Sequence, residues 1–241
     1  MIYSYYSDCG NFKKRNEDAY ELHVAASSER MHGMLAVCDG VSTSDDGSYA
    51  SRFVIAQLHE LFAKRNNQAI DWKAEIYRIH DALCAAGLRR RKRYGTTLSL
   101  FYFEDDNYHF LQVGDSRIYL YRHSLYQLSI DQTLAQQKYQ NQTISLEEYR
   151  RSDEHHILTQ CIGITKQLQL AEGHGSWRTE DGVLVCSDGI SNLLSLSMLN
   201  EHMKLFLAEG SDEAKKLAEE ALAYGEKDNL TALMFSREQS S

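Results

Sequence analysis

The sequence predicts an α+β fold in which helices cover antiparallel sheets, and three observations lead there. Strand-like apolar runs occur in groups, at residues 3–7, 19–24 and 34–38 and again at 96–128, separated by turn residues. The helical patterns come in consecutive pairs instead of alternating with strands, which argues against a parallel doubly wound sheet. No proline occurs in the 241 residues, so no proline-marked linker divides the chain. One domain over residues 1–236 with a short tail at 237–241 is therefore expected.

Taken in order, Tyr3 and Tyr5 alternate with polar residues in a first strand, and Cys9-Gly10-Asn11-Phe12 reads as a turn. The charged cluster Lys13-Lys14-Arg15-Asn16-Glu17-Asp18 precedes a second strand at 19–24 and reads equally as a solvated loop. A polar hairpin connection at 27–32 leads to a third strand at 34–38. Ser48 or a neighbour caps a helix carrying Ala50, Phe53, Val54, Leu58, Leu61 and Phe62 at helical spacing, and a second helix over 72–88 carries Ile76, Ile79, Leu83 and Ala86 on one stripe. The run Arg89-Arg90-Arg91-Lys92-Arg93 reads as a solvated helix end, where cations suit the negative end of the dipole; the sharper alternative is a docking patch for phosphorylated or acidic partners. Strands at 96–103, 108–113, 117–121 and 125–128, joined by short turns, predict an antiparallel meander. Residues 134–156 are polar and helical with few apolar groups, as in a small surface subdomain; His155 and His156 read as exposed polar residues. Strands at 168–171 and 183–186, helices at 195–207 and 211–224, and a last strand at 230–235 complete the chain.

Composition narrows the function. With 43% hydrophobic and 25% charged residues the chain has the material for a sizeable core. The formal net charge of −8 argues against nonspecific nucleic acid binding. The first residues lack a basic start and an apolar h-region, and no window approaches the 18 apolar residues of a membrane span, so a cytoplasmic location without membrane contact is expected. Five scattered cysteines without a C-x-x-C pair predict reduced thiols, with Cys38 and Cys186 behaving as small buried hydrophobes.

Chemistry gathers at strand ends. Leu35-Ala36-Val37-Cys38 runs into Asp39-Gly40, and Val183-Leu184-Val185-Cys186-Ser187 runs into Asp188-Gly189. Asp115 and Asp228 also sit at the ends of apolar runs, and Asp18 opens one. Any single Asp-Gly is a common hairpin turn. So many strand-end aspartates, with histidine and cysteine absent from the same positions, suggest an all-oxygen site for a hard cation, Mg2+ or Mn2+.

The ordered motifs Arg15-Asn16-Glu17-Asp18, Val37-Cys38-Asp39-Gly40, Gly95-Thr96-Thr97, Val113-Gly114-Asp115-Ser116-Arg117, Leu158-Thr159-Gln160-Cys161-Ile162-Gly163, Cys186-Ser187-Asp188-Gly189 and Lys227-Asp228-Asn229 resemble those of the metal-dependent protein phosphatases of the 2C type. The resemblance covers residues 4–236. It implies a four-layer α-β-β-α sandwich with two central antiparallel sheets, a binuclear site at one end, and a flap over 134–156. It further implies that Asp39 bridges two cations, that Asp188 and Asp228 complete one of them, and that the Gly40 carbonyl helps hold the other. These three aspartates are the implied catalytic residues. Glu17 and Asp18 would act near the second ion through its waters, Asp115 with Asp188 would serve a third and weaker metal position, and Asn229 would be a near neighbour. The implied reaction is hydrolysis of phosphoserine and phosphothreonine in proteins by a water activated between two divalent cations, Mn2+ or Mg2+, with no covalent protein intermediate. Implied partners are phosphorylated proteins, a cognate serine/threonine kinase and its substrates, met by a monomer.

Departures from the family pattern concern the substrate side. Its phosphate-binding arginine falls on Lys13, with Arg15 two residues later, so either residue is a candidate for phosphate; lysine lacks the bidentate fork. Val41 stands where many eukaryotic members carry histidine, Ser42 to Asp46 replaces a glycine-rich segment, and Gln132 replaces a histidine before the flap. Two other readings stay open: a catalytically silent phosphoprotein-binding regulatory module, and a phosphatase of a small phosphorylated molecule.

Overall fold

Strands Met31–Cys38 (β3), Gly182–Cys186 (β9) and Leu230–Ser236 (β10) show why their apolar runs are unbroken. Leu35 and Val37 of β3 meet Val183 and Val185 of β9 and Leu233 and Phe235 of β10 in one buried layer. The alternate residues Met34, Ala36 and Cys38 face one pair of helices, and Leu184, Cys186, Ala232 and Met234 face another. A strand buried on both faces has no polar face to alternate with.

The computed structural model describes residues 1–26, 30–65, 69–210 and 212–237. The remaining strands are Ile2–Asp8 (β1), Ala19–Ala26 (β2), Leu98–Glu104 (β4), Asn107–Val113 (β5), Arg117–Arg122 (β6), Ser124–Gln127 (β7) and Ala171–Ser176 (β8). They form two antiparallel five-stranded sheets in the orders β1-β10-β9-β6-β7 and β2-β3-β4-β5-β8. Helices Gly47–Lys64 (α1) and Trp72–Arg90 (α2) cover the second sheet, and Leu196–Glu209 (α6) and Glu213–Ala223 (α7) cover the first. The four-layer sandwich is as expected. Each fully buried leucine or phenylalanine in these layers contributes about 1.5–3 kcal/mol.

Local chemistry sets the helix ends. Asp46, not Ser48, caps α1 by accepting the Tyr49 N–H, Asp71 caps α2 through the Ala74 N–H, and Ser195 caps α6 through the Met198 N–H. Gly210 ends α6 at a φ of 63°. The flap consists of Leu134–Gln140 (α3), Leu146–Arg150 (α4) and a 3-10 turn at Asp153–His156. Among the described residues no helix is long and apolar enough to cross a membrane.

Two expectations need correction, and the hairpin alternative for one Asp-Gly does not form. The central strands are not one meander: β4 pairs with β5 and β6 with β7, but at Gly114-Asp115-Ser116 the chain leaves one sheet for the other. Gly114 has a φ of 99°, and a Cβ there would lie 2.6 Å from Thr97 Cγ2, so this tight crossing requires glycine. The strand expected at 168–171 begins only at Ala171 and runs through Gly173 and Gly175. These glycines pair with Phe110 and Tyr108, whose rings occupy the space a Cβ would need, so packing across the strands overrides the low strand propensity of glycine. Finally, Asp188-Gly189 opens a short helix, Asp188–Ser191 (α5), and makes no hairpin. Part of the connection at 27–32, the helix start at 211 and residues 238–241 of the tail lie outside the described residues; Met31 and His32 already belong to β3.

Candidate metal centre

The predicted strand-end aspartates meet. Asp39 follows β3, Asp115 lies at the crossing between β5 and β6, Asp188 follows β9 and Asp228 precedes β10. All four, with Gly40, line one cavity of about 570 Å³ at the end of the sandwich. The two sheets thus contribute opposite walls.

The backbone around Asp39 is held from several sides. Its N–H donates to Thr97 Oγ1 (2.9 Å), and its carbonyl accepts the Thr97 N–H (2.8 Å) and the Thr96 hydroxyl (2.8 Å). The Gly40 N–H donates to the Glu17 carbonyl at 3.2 Å, and a Cβ on Gly40 would lie 2.4 Å from the Gly47 backbone. Only glycine lets this strand end pass so close to the start of α1. The role of Gly95-Thr96-Thr97 is therefore to clamp Asp39.

Carboxyl groups outnumber cations in the cleft, where Asp39, Asp115, Asp188 and Asp228 share the lining with Arg93, and Lys13 stands beside Asp228. Burial, followed by Asp18, Asp188, Asp115 and Asp228, holds the Asp39 carboxyl well above its ordinary range. Burial and then Asp188 do the same for Asp115, and burial and then Asp228 raise Asp188. Asp188 Oδ2 accepts from Asn192 Nδ2 (3.1 Å). Asp18 accepts from Ser187 Oγ (2.8 Å) and Thr231 Oγ1 (2.7 Å) through Oδ2, and burial pushes it up to about 7. Asp18 Oδ1 and Asp188 Oδ1 are buried without a hydrogen-bond partner. Orphaned carboxylate oxygens and mutual repulsion are what divalent cations with oxygen ligands would remedy, so the donor set fits Mg2+ or Mn2+.

The cleft oxygens are spread out. Among the described residues, the trio of potential ligands whose atoms all lie within 4.8 Å of one another is Glu21, His23 and His59, none of which lines the cleft. Repulsion between like charges accounts for the wider spacing.

A family model described as Protein phosphatase 2C matches residues 12–223. The chain belongs to the protein phosphatase 2C family. It is 30% identical over 241 residues to the serine/threonine phosphatase stp of Listeria monocytogenes, covering 96% of this chain and 94% of that one. It is similar to the crystal structure of the Mycobacterium tuberculosis serine/threonine phosphatase PstP/Ppp, with a TM-score of 0.84, 26% identity, and coverage of 99% and 100% of the two chains. The catalytic domain of PstP in complex with two manganese ions also superposes, with a TM-score of 0.78, 27% identity and 96% of each chain covered. The chain is accordingly a protein serine/threonine phosphatase.

In this 2C-type phosphatase the two candidate phosphate binders behave differently. Lys13 Nζ lies 2.9 Å from Asp228 Oδ1 and 3.4 Å from Ser42 Oγ, beside the cleft. Burial alone would lower the Lys13 pKa, but Asp228, Asp39 and Glu17 raise it. Arg15 is turned to Asp46 at 3.5 Å, with its side chain 57% exposed. Neither lines the cavity itself. Of the other expected neighbours, Glu17 contributes its carbonyl to Gly40 and to Ser51 Oγ (2.5 Å), and its carboxylate does not line the cleft. Asn229 is a tie: its Oδ1 accepts the Glu17 N–H and its Nδ2 donates to the carbonyls of Cys9 and Arg15.

Sequence reasoning missed the partners of Asp18, Ser187 and Thr231, and the brace between Arg117 and Asp131. It also missed that Arg93, His156, Ile157 and Leu158 line the same cavity. The polar residues that interrupt apolar strand ends were the available signal for Ser187 and Thr231.

The charge imbalance has a measurable sign. Asp18 titrates near 4 when unfolded but at about 7 when folded, so between these values the folded metal-free phosphatase binds more protons than the unfolded chain. Its stability therefore falls as pH rises through that window. Thermal unfolding in chelator should show a higher midpoint at pH 5.5 than at pH 7.5, and Mn2+ should raise the midpoint at pH 7.5. A midpoint indifferent to both pH and Mn2+ would contradict this electrostatic account.

Proposed function

We propose that this phosphatase hydrolyses phosphoserine and phosphothreonine in proteins by a metal-dependent route, with a water activated between two divalent cations, Mn2+ or Mg2+. Asp39, Asp188 and Asp228 with the Gly40 carbonyl would hold the two ions, and Asp115 with Asp188 would offer a third, weaker position. The observation that carries this reading is the meeting of four aspartates in one cleft, where Asp39, Asp115 and Asp188 are held above their ordinary range and Asp188 leaves an oxygen orphaned. When bound, the cations neutralise phosphate charge and make water a nucleophile near neutral pH.

The chain's own groups do the rest. Thr96 and Thr97 fix the Asp39 backbone, and Lys13, beside Asp228, places a positive charge for phosphate at the cleft edge. Asp18 acts from behind the cleft as a buried acid rather than through the mouth. Cys161 lines the cavity, but burial pushes its thiol up to about 12, which removes it as a nucleophile and agrees with a route without a covalent protein intermediate. Val41 supplies no proton to the leaving group. Substrates would be phosphoproteins made by a serine/threonine kinase, met by a monomer in the cytoplasm, with residues 1–236 acting as one domain.

The test is phosphate release from a phosphothreonine peptide with Mn2+, with Mg2+ and with chelator, side by side. Turnover that depends on the cation is expected. A folded protein without metal-dependent turnover would overturn the proposal, and strong competition by a small phosphorylated molecule would redirect its substrate class.

A further inference from the structure

Two features that are far apart in the sequence, the substituted loop after Gly40 and the basic run at 89–93, meet at the rim of the cleft. The Asp45 N–H donates to the Arg93 carbonyl (2.8 Å), the Arg93 N–H donates to Asp45 Oδ2 (2.5 Å), and the Val41 N–H donates to the Gly95 carbonyl (2.9 Å). Arg93 is thereby tied to the segment leaving Asp39, and it lines the cavity that Asp39, Asp188 and Asp228 also line. Helix α2 ends just before it. Arg91 adopts a left-handed φ of 53°, and the Lys92 N–H donates to the Gly87 carbonyl (3.0 Å), which turns the chain toward the loop. Glycine is the unstrained residue for that backbone conformation, yet a cation occupies it.

The charge of this rim is unspent within the molecule. All five cations are exposed. Among the described residues, Arg89, Arg91, Lys92 and Arg93 have no ion-pair partner, although the chain carries an excess of acids and a net charge of −8. Arg90 instead lies over the Tyr49 ring at 4.7 Å. The cavity that Arg93 shares with the carboxylates is also walled by Val41, Ile157, Leu158 and Ile164, which gives a peptide an apolar surface beside the charged one.

We infer that Arg93, reinforced by its basic neighbours, is a subsite for an anionic group next to the phosphorylated residue, so that the phosphatase selects phosphopeptides carrying an acidic residue or a second phosphate close to the target. This rests on the proposed function for the identity of the reacting residue. The guanidinium suits either anion, because its planar fork matches carboxylate and phosphate alike.

The experiment compares phosphothreonine peptides of equal length flanked by glutamates, by alanines, or by alanines with one phosphoserine. With Mn2+ present, kcat/KM is measured for the native chain and for Arg93→Glu and Arg93→Ala. Fluorescence anisotropy gives Kd for the same peptides on Asp39→Asn and on Asp39→Asn combined with Arg93→Glu, so that binding is read without turnover. The anionic peptides should be favoured about tenfold over the alanine peptide in both readouts, a preference lost in Arg93→Ala and reversed in Arg93→Glu. A preference for the glutamate peptide assigns the subsite to carboxylates, and one confined to the phosphoserine peptide assigns it to a second phosphate. Equal binding and turnover of all three peptides, or a preference that survives Arg93→Glu, would overturn the inference. Anion-selective, Arg93-dependent binding without any turnover would overturn the catalytic reading and leave the subsite standing.

Discussion

Asp39→Asn lowers kcat by about a thousandfold or more and leaves the metal-free fold at least as stable as the parent. The activity loss follows from position: Asp39 is the carboxylate that senses Asp18, Asp115, Asp188 and Asp228 together, so it is placed to serve both proposed ions. Losing one preorganised electrostatic contact at a reacting centre costs about 10²–10³ in rate, and Asp39 would, in the proposed reading, hold two cations. Stability should move the other way in chelator. Asparagine keeps the shape and removes one of the mutually repelling charges. Steady-state turnover and thermal unfolding of the two proteins check both halves; equal kcat, or a large drop in the chelated midpoint, would contradict the assigned role.

Arg117→Ala destabilises the fold by about 3 kcal/mol, at the low end of what breaking a buried ion pair does because the arginine keeps partial solvent access. Its guanidinium donates to Asp131 through Nε (3.0 Å) and Nη2 (2.6 Å), and through Nη1 to the Ser191 carbonyl (3.2 Å). One side chain thus joins the start of β6, the segment before the flap and the end of α5, which carry or adjoin Asp115 and Asp188. Removing it leaves Asp131 largely buried and unpaired, and withdraws the charge that offsets the Asp115 carboxyl. For a chain of this length the midpoint should fall by about 6–12 °C. Arg117→Lys should recover only part of the loss, because an ammonium lacks the fork that grips Asp131. A denaturant-unfolding difference below about 1 kcal/mol for Arg117→Ala would show that the brace is dispensable.

Much of this architecture was legible in the sequence. The unbroken apolar runs of β3, β9 and β10 reflect burial on both faces, and the helical stripes of α1, α2, α6 and α7 reflect burial on one. The aspartates were legible because each interrupts such a run at its end. What sequence could not show was which sheet a turn leads to. Gly114-Asp115-Ser116 has hairpin chemistry, yet the contacts of Gly114 with Thr97 and of Thr97 Oγ1 with Ser116 Oγ (2.7 Å) send the chain across the sandwich. The position of β8 was not legible because Gly173 and Gly175 have low strand propensity, and only the Phe110 and Tyr108 rings above them make the strand. Lys13 and Arg15 were indistinguishable as phosphate binders for the same reason: only the folded loop turns one to Asp228 and the other to Asp46. Long-range pairing decides such features, and local pattern carries little of it.

The central claim is that the strand-end aspartates form one divalent-cation centre. Calorimetric titration of the native phosphatase with Mn2+, in parallel with Asp39→Asn, tests it most directly. Two ions per chain should bind tightly to the native protein, with at most one, weakened, in the variant. Absence of Mn2+ binding to the native protein, or unchanged stoichiometry and affinity in Asp39→Asn, would contradict it.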